Sequence, residues 1–205
     1  MIGTHSASGS EDPPRPPRAD PDADILPALK RGDPAALRVL MDRHMDKIKS
    51  TAWHMLGDEM AAEDIAQEVF LRAWKTVPNW QTGKAKFSTW LFRVCKNLCY
   101  DRLRKKTEIF SDTPPDIIDE GMDADEKLQK SEVSAARTHR VQIALAALPK
   151  RQRLAVTLCH YQDLSQGEAS EVLGISVRAY ESLLARARKN LRRHLQNHKT
   201  ELLES

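Results

Sequence analysis

Aromatic residues make up only 5% of this 205-residue chain, and the mean hydropathy is −0.56. Any core must therefore be small and built from aliphatic side chains. No apolar run approaches the ~18 residues of a membrane span, which argues against membrane insertion. The first residues, MIGTHSASGSEDPPRPPRADPDAD, lack an apolar stretch of the secretory kind, so no signal peptide is expected. There are three cysteines, an odd number that does not fit a disulfide framework. A Gly-rich phosphate loop, HExxH and GxSxG are all missing, and the carboxylates fall on helix faces or in a linker, so no catalytic role and no cofactor are expected. The net charge of +3 is too modest to mark a nucleic-acid binder by itself; its distribution matters more. The expectation at this level is a cytoplasmic protein that is not an enzyme.

What is present is helical periodicity. Nothing alternates at period two, and the chain reads as all-α: two small helical domains joined by a flexible acidic linker, the C-terminal one containing a helix-turn-helix. Residues 1–23, rich in Pro, Ser, Asp and Arg, read as a disordered tail. A first helical block covers 24–106. In it Asp33-Pro34 reads as an N-cap with Pro at the first helical position, Gly57 as a stop and Asp58 as the next cap. Residues 107–132 hold prolines, a glycine and many carboxylates, the composition of a linker. A second block starts near Val133 and spans 133–198, with a capping box at Ser165 to Glu168, a turn at Gly174 and a cap at Ser176. Residues 199–205 form a C-terminal tail.

Three surfaces stand out. The helix-turn-helix pattern SQGEASEVLGISVRAYESLLARARKNLRRHL has the geometry that lays a second helix in the major groove. Along that helix Val177, Tyr180, Leu184, Ala187 and Leu191 should face the core. Ser182, Arg186, Lys189 and Arg193 share the opposite face, with Arg178 at its exposed start. A second stripe, Arg93, Asn97, Tyr100 and Arg104, runs at i, i+4, i+7 and i+11 with Lys96 and Phe92 beside it. Trp80 and Trp90 add aromatic surface. Basic and aromatic side chains together suit unpaired bases, although a rim of the core or a protein contact fits the same pattern. The third is the polar side of the helix from Ala61 to Trp74: Asp64, Gln67, Glu68, Leu71 and Arg72. Leu71 among charges has the character of a partner anchor, while the rest resembles an ordinary solvated face. Cys95 and Cys99, one turn apart, supply half of a tetrahedral metal site and no neighbouring Cys/His pair completes it, so structural thiols are expected.

The blocks EDIAQEVFLRAW, KFSTWLFRVCKNLCYDRLRKK and LPKRQRLAVTLCHYQDLSQGEASEVLGISVRAYESLLARARKNLRRHL, in this order, resemble the signature blocks of extracytoplasmic-function (group 4) sigma factors of bacterial RNA polymerase. The resemblance covers roughly 24–195. It implies that 24–106 is sigma region 2 and 133–198 sigma region 4, and that the chain directs polymerase to promoters and helps melt the −10 element. Asp64, Gln67, Glu68, Leu71 and Arg72 would then dock on core RNA polymerase. The loop from Gln81 to Lys86, with Lys84 and Lys86, would trap a flipped −10 base, and Trp80, Trp90, Arg93, Lys96, Asn97, Tyr100 and Arg104 would lie along the promoter strand. Ser176, Arg178, Ser182, Arg186, Lys189 and Arg193 would serve the −35 element. An anti-sigma factor is the implied controlling partner. The acidic linker would either mimic nucleic acid in a basic channel of polymerase or act as a plain tether.

One departure stands out. Many relatives carry Val-Lys-Ser-Arg-Leu where this chain has Tyr180-Glu181-Ser182-Leu183-Leu184, which puts a standard −35 readout in question. Two other functions are distinguishable in principle. A free-standing helix-turn-helix regulator would need neither the 61–74 face nor the aromatic stripe. A thiol or metal sensor would depend on Cys95 and Cys99.

Overall fold

The structure, a computed structural model, describes residues 20–83, 85–110, 129–162 and 164–201. Among them every regular element is helical: α1 (Leu26–Lys30), α2 (Pro34–Leu56), α3 (Glu59–Thr76), a 3-10 turn (Val77–Asn79), α4 (Phe87–Phe110), α5 (Gln129–Ala146), α6 (Lys150–His160), α7 (Gln166–Leu173) and α8 (Val177–Glu201). The all-α expectation holds. Most of the acidic linker, Lys84 and residues 1–19 lie outside the described residues.

The helix ends follow local chemistry. Asp33 accepts from the Ala35 amide at 2.9 Å, with Pro34 in the first turn. Gly57 ends α2 at φ 73°, a left-handed conformation that side chains resist. Asp58 then caps α3 through the Ala61 amide at 2.9 Å. The first half closes around Leu40, Ile48, Ala52 and Met55 of α2, Ala62, Ile65, Ala66, Val69 and Phe70 of α3, and Phe87, Leu91, Cys95 and Cys99 of α4, all buried. The alanines let the backbones approach closely, and the core is aliphatic as the composition demands.

Four boundaries differ from expectation. α4 continues to Phe110 and α5 begins at Gln129, so both ends of the expected 107–132 linker are helical. α8 runs past the expected end of the second block at 198, to Glu201. The N-terminal tail also ends sooner: Asp22, inside the stretch expected to be disordered, is fully buried, because it finds His44 and Arg43 on α2 as partners.

The second half packs Leu145 and Leu148 with Leu154, Val156 and Leu158 of α6, Ala169 and Val172 of α7, and Tyr180, Leu184 and Ala187 of α8. The two halves sit against each other. α2 meets α5 and α6, and α4 meets α7. At the α2 end, Gln142 Nε2 donates at 2.9 Å to the Trp53 carbonyl, which also accepts from the Gly57 amide, and Arg153 donates to the Met55 carbonyl at 2.7 Å. Arg153 also donates to the carbonyls of Ala146 and Leu148, so one guanidinium serves the C-terminal ends of two helices. The His54 ring lies 3.8 Å, centroid to centroid, from that of Tyr161.

Candidate nucleic-acid and partner interfaces

On α3 the buried stripe forces the remaining side chains outward. Asp64, Gln67, Leu71 and Arg72 are exposed and Glu68 is half-buried. Leu71 is 56% exposed, unusual for a leucine beside a well-packed core. Arg72 Nε donates to Glu68 at 2.7 Å, one turn away, and Asp64 lies 3.9 Å from Arg102. The result is an apolar knob framed by charge.

The start of α4 is an aromatic cluster. Trp80 lies edge-on to Phe87 and Trp90, with centroids 5.1 and 5.9 Å apart, and Phe87 stacks on Trp90 at 5.4 Å. Both tryptophans are half-buried, so they brace the 81–86 loop as well as offering surface. Phe92 is 3% exposed and belongs to the core, not to the displayed stripe. α4 is packed by α2, α3 and α7, and its buried arc is wider than one helical stripe. Tyr100 is half-buried; burial raises its phenol pKa, and its hydroxyl has no protein partner. Asn97 and Arg104 are exposed, Arg104 at 3.2 Å from Asp101.

The basic members of this face are already engaged. Lys86 Nζ lies 2.7 Å from Glu168, Arg93 donates to the Glu171 carbonyl at 3.1 Å, and Lys96 to the Val172 carbonyl at 2.9 Å. All three acceptors are on α7, two of them backbone oxygens in its last turn, where the helix carries partial negative charge. Burial, then the neighbouring Arg93 and Arg151, lowers the Lys96 pKa. Burial raises the Glu168 carboxyl, but hydrogen bonds from Lys86 and Ser165 outweigh it and leave the group below its ordinary value. In effect the end of α7 offers α4 the kind of oxygens that a nucleic-acid strand would.

The helix-turn-helix forms as its sequence demands. Ser165 and Glu168 make the reciprocal capping box, Gly174 turns the chain at φ 68°, and Ser176 Oγ accepts from the Ala179 amide to cap α8. Tyr180 is 1% exposed and Val177 43%; Val177, expected in the core, lies at the open first turn instead. Ser176, Arg178, Ser182, Arg186, Lys189 and Arg193 are exposed. Leu183 lines an open groove with Pro149, Ile175 and Ala179, rimmed by Arg151 and Arg186.

Family models for sigma-70 region 2 and sigma-70 region 4 match residues 40–109 and 138–191. The chain is 34% identical over 176 residues to the ECF RNA polymerase sigma factor SigW of Bacillus subtilis, covering 82% of this chain and 94% of that protein. The chain belongs to the ECF RNA polymerase sigma factors. The ECF sigma factor SigE of Mycolicibacterium smegmatis is 32% identical over 177 residues, 85% of this chain and 68% of SigE. In fold, this ECF sigma factor is similar to CnrH, solved in complex with the cytosolic domain of CnrY, with a TM-score of 0.66, 24% identity and coverage of 86% of this chain and 97% of CnrH. The sigma factor RpoE, solved with the anti-sigma factor NepR from Bartonella quintana, is similar at a TM-score of 0.53 and 22% identity, covering 84% and 92%.

Two features of this ECF sigma factor were missed in reading its sequence. One is the use of Glu168 twice, as a capping-box residue and as the partner of Lys86; only the first role has a local signature. The other is the Asp20–Asp24 segment, whose partners lie on α2 and at the start of α4. Cys95 and Cys99 are buried in the first core, Cys95 with its Sγ 3.8 Å from the Ile48 carbonyl oxygen.

Proposed function

We propose that this alternative sigma factor docks on core RNA polymerase through the α3 strip Asp64, Gln67, Glu68, Leu71 and Arg72. In this reading 24–106 acts as region 2 and 133–198 as region 4. The loop 81–86 and the α4 residues Arg93, Lys96, Asn97 and Tyr100 capture the opened −10 strand, while Arg178, Ser182 and Arg186 meet the −35 element, with Lys189 and Arg193 on phosphate. The carrying observation is the coexistence of an exposed Leu71 strip with a separate basic face on α4. An operator-binding regulator requires neither. A cytoplasmic location is consistent with the family, and the complexes of its structural neighbours support control by an anti-sigma factor.

In the closed arrangement Lys86, Arg93 and Lys96 are spent on α7. Engagement of the −10 strand therefore requires α7 to leave α4, with phosphates replacing its oxygens. Binding of core polymerase, by holding the two halves apart, supplies the free energy for that exchange. The test is the binding of a labelled promoter fragment with and without core polymerase. Core-dependent, sequence-specific binding supports the assignment; equally tight specific binding by the isolated protein contradicts it.

A further inference from the structure

The first turn of α4 has no cap in its own sequence. N-caps are ordinarily Ser, Thr, Asp or Asn, and the residues before Phe87 are Ala85 and Lys86. The Phe87 amide instead donates to Asp20 Oδ2 at 2.9 Å, across 67 positions of the chain. The other carboxylate oxygen of Asp20 accepts from the Asp22 amide at 3.1 Å, so the group is oriented from both sides. The segment carrying it is stapled to α2. Asp22 is fully buried, with both carboxylate oxygens 2.9 Å from His44 Nε2. Arg43 donates to the Pro21 carbonyl at 2.8 Å and to both oxygens of Asp24 at 2.8 and 2.7 Å.

The capped position matters because of what surrounds it. Phe87 anchors the Trp80–Trp90 cluster at the foot of the 81–86 loop. A helix start without a cap frays, and fraying here would release the loop. We infer that Asp20 is a positioning residue for promoter melting: it fixes the first turn of α4 and so holds the −10 capture loop in register. This rests on the assignment of that loop proposed above. The acidic side chain acts through its acceptor oxygen and its charge at a positive helix end, without touching DNA.

The test compares the full-length protein with Asp20→Ala and Asp20→Asn, each saturated with core polymerase. Three quantities are read: core affinity, thermal unfolding, and the rate of −10 opening on a duplex promoter against one with a pre-opened −10 bubble. Asp20→Ala should slow opening about fivefold on the duplex, the size of one lost cap. The defect should shrink on the bubble template, and core affinity should be unchanged. Asp20→Asn, which keeps one of the two acceptor oxygens but not the charge, should recover part of the rate. Normal opening by Asp20→Ala overturns the inference, as does an Asn variant no better than Ala, or a loss confined to the unfolding temperature. A variant carrying Arg93→Ala and Lys96→Ala separates the levels. If it opens the duplex normally, the −10 assignment of the loop and α4 fails; if it is defective while Asp20→Ala is not, the inference about Asp20 alone fails.

Discussion

Tyr180 lies in the first turn of α8. Its ring is buried, and its hydroxyl donates to the Ala155 carbonyl of α6 at 3.0 Å, tying α8 to α6. Tyr180→Phe should cost about 1 kcal/mol and Tyr180→Ala about 3–5 kcal/mol, measured by urea unfolding. His54 gives a pH dependence. Burial lowers its pKa, and the hydrogen bond with Gln142 opposes this only in part. As pH falls, the proton binds first to the state in which His54 is released. The stability contributed by its neutral form is therefore complete above about pH 6.5 and is lost as pH drops through the lowered value. Wild type should lose more stability between about pH 7.5 and about pH 5.5 than His54→Phe, which keeps a ring against Tyr161 and cannot titrate; equal losses would contradict this. Residue roles of this kind are hard to read in a sequence. Neither the Asp20 contact to Phe87 nor the His54 contact to Gln142 has a local signature, since these partners lie 67 and 88 positions away.

At the scale of elements, the caps were legible because each is a local exchange of hydrogen bonds. Asp33, Asp58, Ser165 and Ser176 begin their helices and Gly57 and Gly174 end theirs, as expected. The far ends of α4 and α8 were not, because residues 107–110 and 199–201 are too short to show a helical period of their own. Phe92 was misread for a related reason: the packing of α7 on α4 is not written in α4. On α3, Leu71→Ala combined with Gln67→Ala should weaken core polymerase binding at least tenfold with folding intact, because an exposed anchor contributes to binding and little to the core. Unchanged core affinity in a titration with labelled protein would refute the docking assignment. On α8, Arg186→Ala should weaken promoter binding by the holoenzyme by about 1–3 kcal/mol if it meets a base edge, whereas loss of a phosphate contact shows instead as a shallower salt dependence.

For the whole molecule, the two halves bind each other with the same groups that are proposed to hold the −10 strand. The Lys86–Glu168 pair, 17% and 20% exposed at the side chains, is the most direct link. Glu168→Gln preserves the capping box and removes the charge that holds Lys86. It should raise the affinity of the free protein for a single-stranded −10 oligonucleotide about two- to threefold by fluorescence anisotropy, the scale of a partly exposed ion pair. The closed packing that masks these lysines was invisible in the sequence, which reads each half separately, and the family blocks describe each half as well. The central claim is that this chain turns core polymerase into a promoter-specific enzyme, and run-off transcription with core polymerase on a promoter library tests it most directly. Specific transcripts that depend on the added protein, and that are lost with Arg93→Ala and Lys96→Ala, are the predicted result. Tight binding of the protein to duplex DNA alone, with no specific transcript, would contradict it.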